Sequence, residues 1–261
     1  MSVLMRPWGH MNFRDIGPRD GLPVVFANSL GTDLRMWDGV IAALPGLRAI
    51  GFDKRGHGLS ALPPQAWTIE DLASDVLALM DHLQIDRAVI AGCSVGGMIA
   101  QATAIAAPGR VRGLVLSNTA AKIGTVEGWQ ARIAAIRAGG IASIGDAILQ
   151  RWFAADFLAR PDHLAWRTML ERTDPEGYCG TCVVLSKADL RAGLRGLDMP
   201  VLFLAGDQDQ STPVSLVTET AALIAGAKVA VVGGSGHLPA IDAPATTAKL
   251  IEDFLKDHIH D

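Results

Sequence analysis

The 261-residue chain has only three cysteines, an odd number, so a disulfide framework that pairs them all is excluded and a reducing compartment is expected. It has no apolar run near the ~20 residues that a membrane-crossing helix needs. It has no excess of positive charge either. Twenty-three Lys and Arg against 27 Asp and Glu leave a formal net charge of −4 and a pI near 6.0. That balance gives no electrostatic footprint for nucleic acid or an anionic membrane surface. Met1 to His10 lacks a basic stretch followed by an apolar core, so no secretion signal is expected. Internal repeats and low-complexity segments are also missing. These absences point to a cytoplasmic protein without nucleic-acid or membrane partners, and they leave its oligomeric state open. The length suits one large domain, or a core with an insertion, which buries roughly 70–75% of the surface exposed by the unfolded chain.

Against that plain background, Gly92-Cys93-Ser94-Val95-Gly96 stands out as G-x-S-x-G. In that pattern a sharp strand-to-helix turn lifts a serine hydroxyl above a parallel sheet. The glycines suit it because the turn brings backbone against backbone, where a Cβ does not fit. The flanks supply the required context: Arg87–Ala91 reads as a short buried strand, and Gly97–Ala107, ending at Pro108, reads as a helix burying Met98, Ile99 and Ile105.

Other elements fall into place around this turn. Val3–Ile16 forms an opening pair of strands around Gly9-His10, while Pro23–Ala27 and Leu47–Phe52 are buried strands. A helix between them carries Met36, Trp37, Val40, Ile41 and Leu44. Thr68–Leu83 is a helix that Thr68 caps, with Asp71 at its third position and Ile69, Leu72, Val76, Leu79, Met80 and Leu83 at helical spacing. Val111–Ser117, Val201–Ala205 and Lys228–Val232 read as further strands, and Ala243–His258 as a closing helix. From Ile123 to Gly196 the pattern changes: no strand is evident, and Trp129–Arg137, Ile141–Phe153 and His163–Arg172 read as helical. Alternating strands and helices imply an α/β architecture with a parallel sheet covered on both faces. The helical interruption is expected to cap the strands' C-terminal edge, where open α/β sheets bind ligands.

A serine needs a base to remove its proton, and a carboxylate to orient that base. Of seven histidines, His258 and His260 lie in the tail, His82 and His163 on helices, and His10 in the opening hairpin. His57 lies in a glycine-rich turn that precedes the serine. His237 follows the loop Gly233-Gly234-Ser235-Gly236 after the last strand, and so completes the order Ser…Asp…His. The acid belongs to Gly206-Asp207-Gln208-Asp209. Asp209, farther from the strand end, can reach across to His237 and is preferred to Asp207, which is left to brace the turn. The backbone N–H of Val95, directly after Ser94, is the first expected oxyanion donor.

Together these positions resemble the α/β-hydrolase superfamily along nearly the whole chain. Three segments sharpen the resemblance: Asn28-Ser29-Leu30-Gly31-Thr32-Asp33-Leu34-Arg35-Met36-Trp37, Phe52–Ser60, and Asn118-Thr119-Ala120-Ala121-Lys122-Ile123-Gly124. With Gly180-Thr181-Cys182 and Ala188–Arg191, they look like the 3-oxoadipate enol-lactonase family. The Phe52–Ser60 stretch is common across the superfamily, whereas the other two are more particular. The chain departs in ending without the decarboxylase domain fused to some relatives. The resemblance implies an α/β-hydrolase fold: a mostly parallel central sheet, helices on both faces and an inserted helical cap. Residues 1–122 and 197–261 would form the core and 123–196 the cap. It implies a second oxyanion donor from Leu30, with Ser29 nearby, because Asn28-Ser29-Leu30-Gly31 stands where many relatives carry His-Gly-x. The implied reaction opens a small anionic lactone, 3-oxoadipate enol-lactone, to 3-oxoadipate through a Ser94 acyl-enzyme, late in bacterial breakdown of aromatic compounds. It implies no metal and no organic cofactor. A cation should meet the substrate's carboxylate: Arg132 leads Lys122, Arg137 and Arg151, being beside Trp129 and able to bind in bidentate fashion. Trp129 and Trp152 would wall the pocket or simply fill the core.

Cys179-Gly180-Thr181-Cys182 is a C-x-x-C without a thioredoxin-like context or further metal ligands, so packing within the cap is expected. Gly233–Gly236 lacks the helix start and lysine of a phosphate cradle. The rival readings are a carboxylesterase, a carbon–carbon bond hydrolase or a cofactor-free haloperoxidase-like enzyme on the same scaffold, and a non-catalytic ligand-binding relative.

Overall fold

The computed structural model describes residues 2–259; Met1, His260 and Asp261, which the expected ranges include, lie outside it. Eight strands form one sheet: β1 (Ser2–Arg6), β2 (Gly9–Ile16), β3 (Pro23–Ala27), β4 (Arg48–Phe52), β5 (Ala88–Cys93), β6 (Val111–Ser117), β7 (Val201–Gly206) and β8 (Lys228–Val232). Their order is β1-β2-β4-β3-β5-β6-β7-β8. β2 runs antiparallel to both β1 and β4, and the pairings from β4 through to β8 are parallel. The expected α/β architecture is therefore borne out.

Burial explains which strands sit where. β5 and β7 are buried along their whole length, as continuous apolar runs flanked by helices on both faces should be. β1 and β8 close the edges and leave Val3, Met5, Val229 and Val231 exposed. The opening hairpin corrects one expectation. Its turn is at Pro7-Trp8, while Gly9 and His10 already pair with Arg6 and Met5. Proline cannot supply a ladder N–H, which suits it to the turn.

The chain passes from β3 outward to β4, then crosses back over β3 to reach β5. The carboxyl ends of β3 and β5 thus flank the point where strand order reverses, the crevice in which open α/β sheets bind ligands. Between β6 and β7 the chain is helical, with its principal helices at Val126–Gly139, Gly145–Trp152, His163–Glu171 and Pro175–Lys187. These helices lie over that crevice. Gly31, in the loop after β3 with φ +75°, has no room for a Cβ because Leu170, Tyr178 and Trp152 press on it from this layer. The stretch Asp174–Lys187 went unassigned in the sequence; Asp174 caps it through the Glu176 and Gly177 N–H groups, and Pro175 takes the first helical position.

Candidate active site

Ser94 sits between β5 and the helix Val95–Ala106, with φ +57° and ψ −121°. Among the described residues three non-glycine positions have positive φ, and two of them, Ser94 and Asn118, belong to this site. Such strain survives only where neighbours enforce it. Here a Cβ on Gly92 would overlap the Gly96 carbonyl, and one on Gly96 would overlap the Ala27 carbonyl, so the turn exists only with both glycines. The end of β6 ties it down: Ser94 N–H donates to the Ser117 carbonyl at 3.0 Å, and the Thr119 hydroxyl donates to the Ser94 carbonyl at 2.6 Å.

Asp209 and His237 are brought together as the sequence anticipated. His237 Nδ1 is 2.8 Å from Asp209 Oδ2. The same carboxylate accepts from the Thr212 hydroxyl at 2.6 Å, from Asn118 Nδ2 at 2.8 Å, and from the Ser211 and Thr212 N–H groups at 2.7 and 3.1 Å. Burial pushes the Asp209 carboxyl upward, but His237 and the bonds from Thr212 and Asn118 outweigh it and hold the group far below its usual range. It is therefore a fixed negative charge facing one imidazole nitrogen. Asp207 instead accepts the Ser235 N–H at 3.2 Å and braces the histidine loop. His57 is buried elsewhere, with Nδ1 on the Arg55 carbonyl at 3.1 Å. His10 meets the Leu59 carbonyl, His163 the Arg160 carbonyl and His258 the Lys228 side chain, all at the surface.

A cavity of about 420 Å³ opens onto Ser94 and His237, within the size range of small-molecule sites. Ser29, Leu30, Trp129, Arg132 and Trp152, all singled out from sequence, line it. Val95 is fully buried as the first residue of its helix, where backbone N–H groups have no intrahelical acceptor. The cation candidates separate. Arg132 and Arg151 line the cavity. Arg137 pairs with Glu176 at 3.1 Å and Lys122 lies 3.7 Å from Asp189, both near the surface. The Arg132 guanidinium stacks 5.0 Å from the Trp129 ring centre, and Trp129 Nε1 donates to the Ile123 carbonyl at 2.7 Å. Cys179 and Cys182 are free, buried thiols on one helix.

Sequence reasoning missed four contributors. Asn118 bridges Asp209 and the Gly236 carbonyl, the latter at 3.1 Å; its segment looked particular but carried no assigned role. Thr212 is visible only once the loop is folded. Tyr178, the chain's single tyrosine, lines the cavity beside Arg132, and burial pushes its hydroxyl well above the usual range despite that cation. Lys54, whose Nζ donates to the carbonyl of the cavity residue Ser29 at 2.5 Å, lay within a motif common across the superfamily.

A strained serine, a histidine and a buried aspartate at the C-terminal edge of a mostly parallel sheet are the arrangement of a serine hydrolase. The model of the alpha/beta hydrolase family matches residues 24–250, and the chain belongs to that family. Among curated proteins it is similar to 3-oxoadipate enol-lactonase 2 of Acinetobacter baylyi, 38% identical over 78% of each chain. It is also similar to 3-oxoadipate enol-lactonase 1 of the same organism, 36% identical over 92% of this chain and 91% of that one. Among solved structures, the enol-lactonase from Burkholderia xenovorans superposes with a TM-score of 0.94 at 36% identity, covering 98% of this chain and all of the other.

Proposed function

We propose that this protein hydrolyses 3-oxoadipate enol-lactone to 3-oxoadipate, a step in the β-ketoadipate route of aromatic-compound breakdown. The observation that carries the reading is the cationic, aromatic-walled cavity above Ser94 and His237, in a chain 36–38% identical to 3-oxoadipate enol-lactonases over most of its length. In this reading His237 takes the proton of Ser94 as its hydroxyl oxygen attacks the lactone carbonyl, and Asp209 stabilises the imidazolium that forms. The N–H groups of Leu30 and Val95 receive the oxyanion. When the ring C–O bond breaks, an enolate leaves, which is a better leaving group than an alkoxide. It takes the proton from His237 and becomes the ketone, still tethered to the acyl-enzyme. Water, deprotonated by His237, then releases the diacid and restores Ser94.

The lactone's own carboxylate is assigned to Arg132, which the Trp129 ring holds in place, with Trp152 and Ser29 lining the rest of the pocket. Residues 123–196 serve as the cap that carries these contacts, on a core of 1–122 and 197–261. The three free thiols support a cytoplasmic setting. Arg132→Ala tests the anionic-substrate reading: KM for the lactone should rise ~10–100-fold, as for a lost charged hydrogen bond, while a neutral short-chain ester is unaffected. A KM unchanged by Arg132→Ala, with a preference for the neutral ester, would point to a simple carboxylesterase.

A further inference from the structure

Lys54 is among the largest fully buried side chains of the molecule, 1% exposed, and its ammonium group rests on backbone carbonyls. It follows β4, which pairs with β3 in parallel, so it lies beside the loop leaving β3. There Nζ donates to the Ser29 carbonyl at 2.5 Å and the Thr32 carbonyl at 3.3 Å. Two further donors reach the Ser29 oxygen from the same turn, the Thr32 hydroxyl at 3.0 Å and the Thr32 N–H at 3.3 Å. The Ser29 N–H is occupied by Met36 Sδ at 3.2 Å, which fixes the loop from the other side of the residue.

The Ser29 carbonyl and the Leu30 N–H belong to one peptide unit. That unit is planar and trans, so its C=O and N–H point in opposite directions. A cation gripping the oxygen beneath the loop therefore aims the hydrogen away from itself, toward the cavity that Leu30 lines. It also draws electron density from the nitrogen, which makes that N–H a stronger donor; hydrogen bonds along a chain reinforce each other in this way. We propose that Lys54 is a positioning residue for the oxyanion hole: by binding the Ser29 carbonyl it orients and polarises the Leu30 N–H that receives the developing oxyanion. Because it acts through a charge-assisted bond made in the ground state and felt most in the transition state, it should govern kcat rather than KM.

The surroundings make the charge on Lys54 sensitive to pH. Burial pulls its ammonium group down to about 7, against the opposing pull of Asp53 beside it and Asp33 from the loop, with the Cys93 thiol of the elbow also facing it. His57, from the turn after Lys54, is kept neutral by burial and by the lysine's own charge. As pH rises through that value the ammonium is lost and the polarisation weakens.

The proposal rests on the Ser94 acyl-transfer reading, and its test uses the full chain acting on the enol-lactone. Lys54→Met keeps the apolar stem and removes the charge; Lys54→Gln keeps a donor without the charge. Lys54→Met should lower kcat about 10–100-fold, less than the ~10²–10³ lost with an oxyanion donor itself, with KM within about twofold. Lys54→Gln should fall between it and wild type. Wild-type kcat should decline above pH ~7, and Lys54→Met should lack that decline. A kcat for Lys54→Met within about twofold of wild type overturns the proposal. So does a parallel loss of kcat, KM and thermal stability with an unchanged pH profile, the signature of a structural bracket. If Lys54→Met does not fold, Lys54→Gln decides, since a kcat equal to wild type in that variant contradicts the proposal. A wild type that leaves the lactone intact defeats the substrate assignment instead, and the Lys54 comparison is then made with a neutral p-nitrophenyl ester that Ser94 cleaves.

Discussion

At the scale of residues, the site is a balance of one fixed charge and several aligned dipoles. Asp209 faces His237 while four further donors occupy its oxygens, so it stays ionised throughout and holds one imidazole tautomer. Asp209→Asn should keep the fold but lower kcat by ~10⁴-fold, because the amide would favour the wrong tautomer. It should also alter acid stability. A carboxyl held below its ordinary value of 3.8 contributes stability above that value, and the contribution is lost as pH falls toward the folded-state value. Wild type should therefore lose stability between pH ~4 and pH ~2 more steeply than Asp209→Asn, as thermal melts across that window would show. Equal slopes would mean that the carboxylate is not held as the geometry requires. Asp209 was legible in the sequence by reach, but its partners were not: Asn118 is 91 residues away and carries no local pattern, and Thr212, three residues on, meets the carboxylate only in the folded loop.

At the scale of elements, the turn between β5 and the Val95–Ala106 helix depends on contact without side chains. Gly96→Ala would drive a methyl into the Ala27 carbonyl, and should destabilise the protein by about 1–3 kcal/mol while also cutting turnover, since the helix start must retreat from β3. The helix Ile69–His82 offers the contrast. Its capping box, Thr68 with Asp71, does not line the cavity, so Thr68→Ala should cost about 1 kcal/mol and leave kcat unchanged. Urea melts and lactone kinetics on the two variants separate these outcomes. The elements themselves were largely legible. The capped helix, the elbow and strands β3, β6 and β8 match their expected spans: the helix repeats apolar residues at helical spacing, and the strands are short apolar runs. The hairpin turn was misplaced by two residues, since Gly9 looked like turn chemistry while Pro7 does the breaking. The helix Pro175–Lys187 escaped because Gly177, Cys179, Gly180 and Cys182 blur its apolar stripe, and it is held by tertiary packing rather than propensity.

At the scale of the whole molecule, the sheet supplies the reacting groups and the inserted helices supply the walls. The two are joined at the site itself, where the His237 N–H donates to the Trp152 carbonyl at 2.8 Å, so the base and a pocket wall share one hydrogen bond. Alternation of strands and helices made this division readable from the sequence; that Arg132 and Arg151 line the cavity while Arg137 pairs with Glu176 and Lys122 lies beside Asp189 was beyond it. The central claim is that this assembly opens an anionic enol-lactone through Ser94. The most direct measurement follows the ultraviolet absorbance of 3-oxoadipate enol-lactone with wild type and Ser94→Ala, with a neutral short-chain ester alongside. The account predicts rapid loss of the lactone by wild type, a fall of at least ~10⁴-fold in Ser94→Ala, and far slower cleavage of the ester. Ester cleavage with no preference for the lactone, or lactone loss that survives Ser94→Ala, would contradict it.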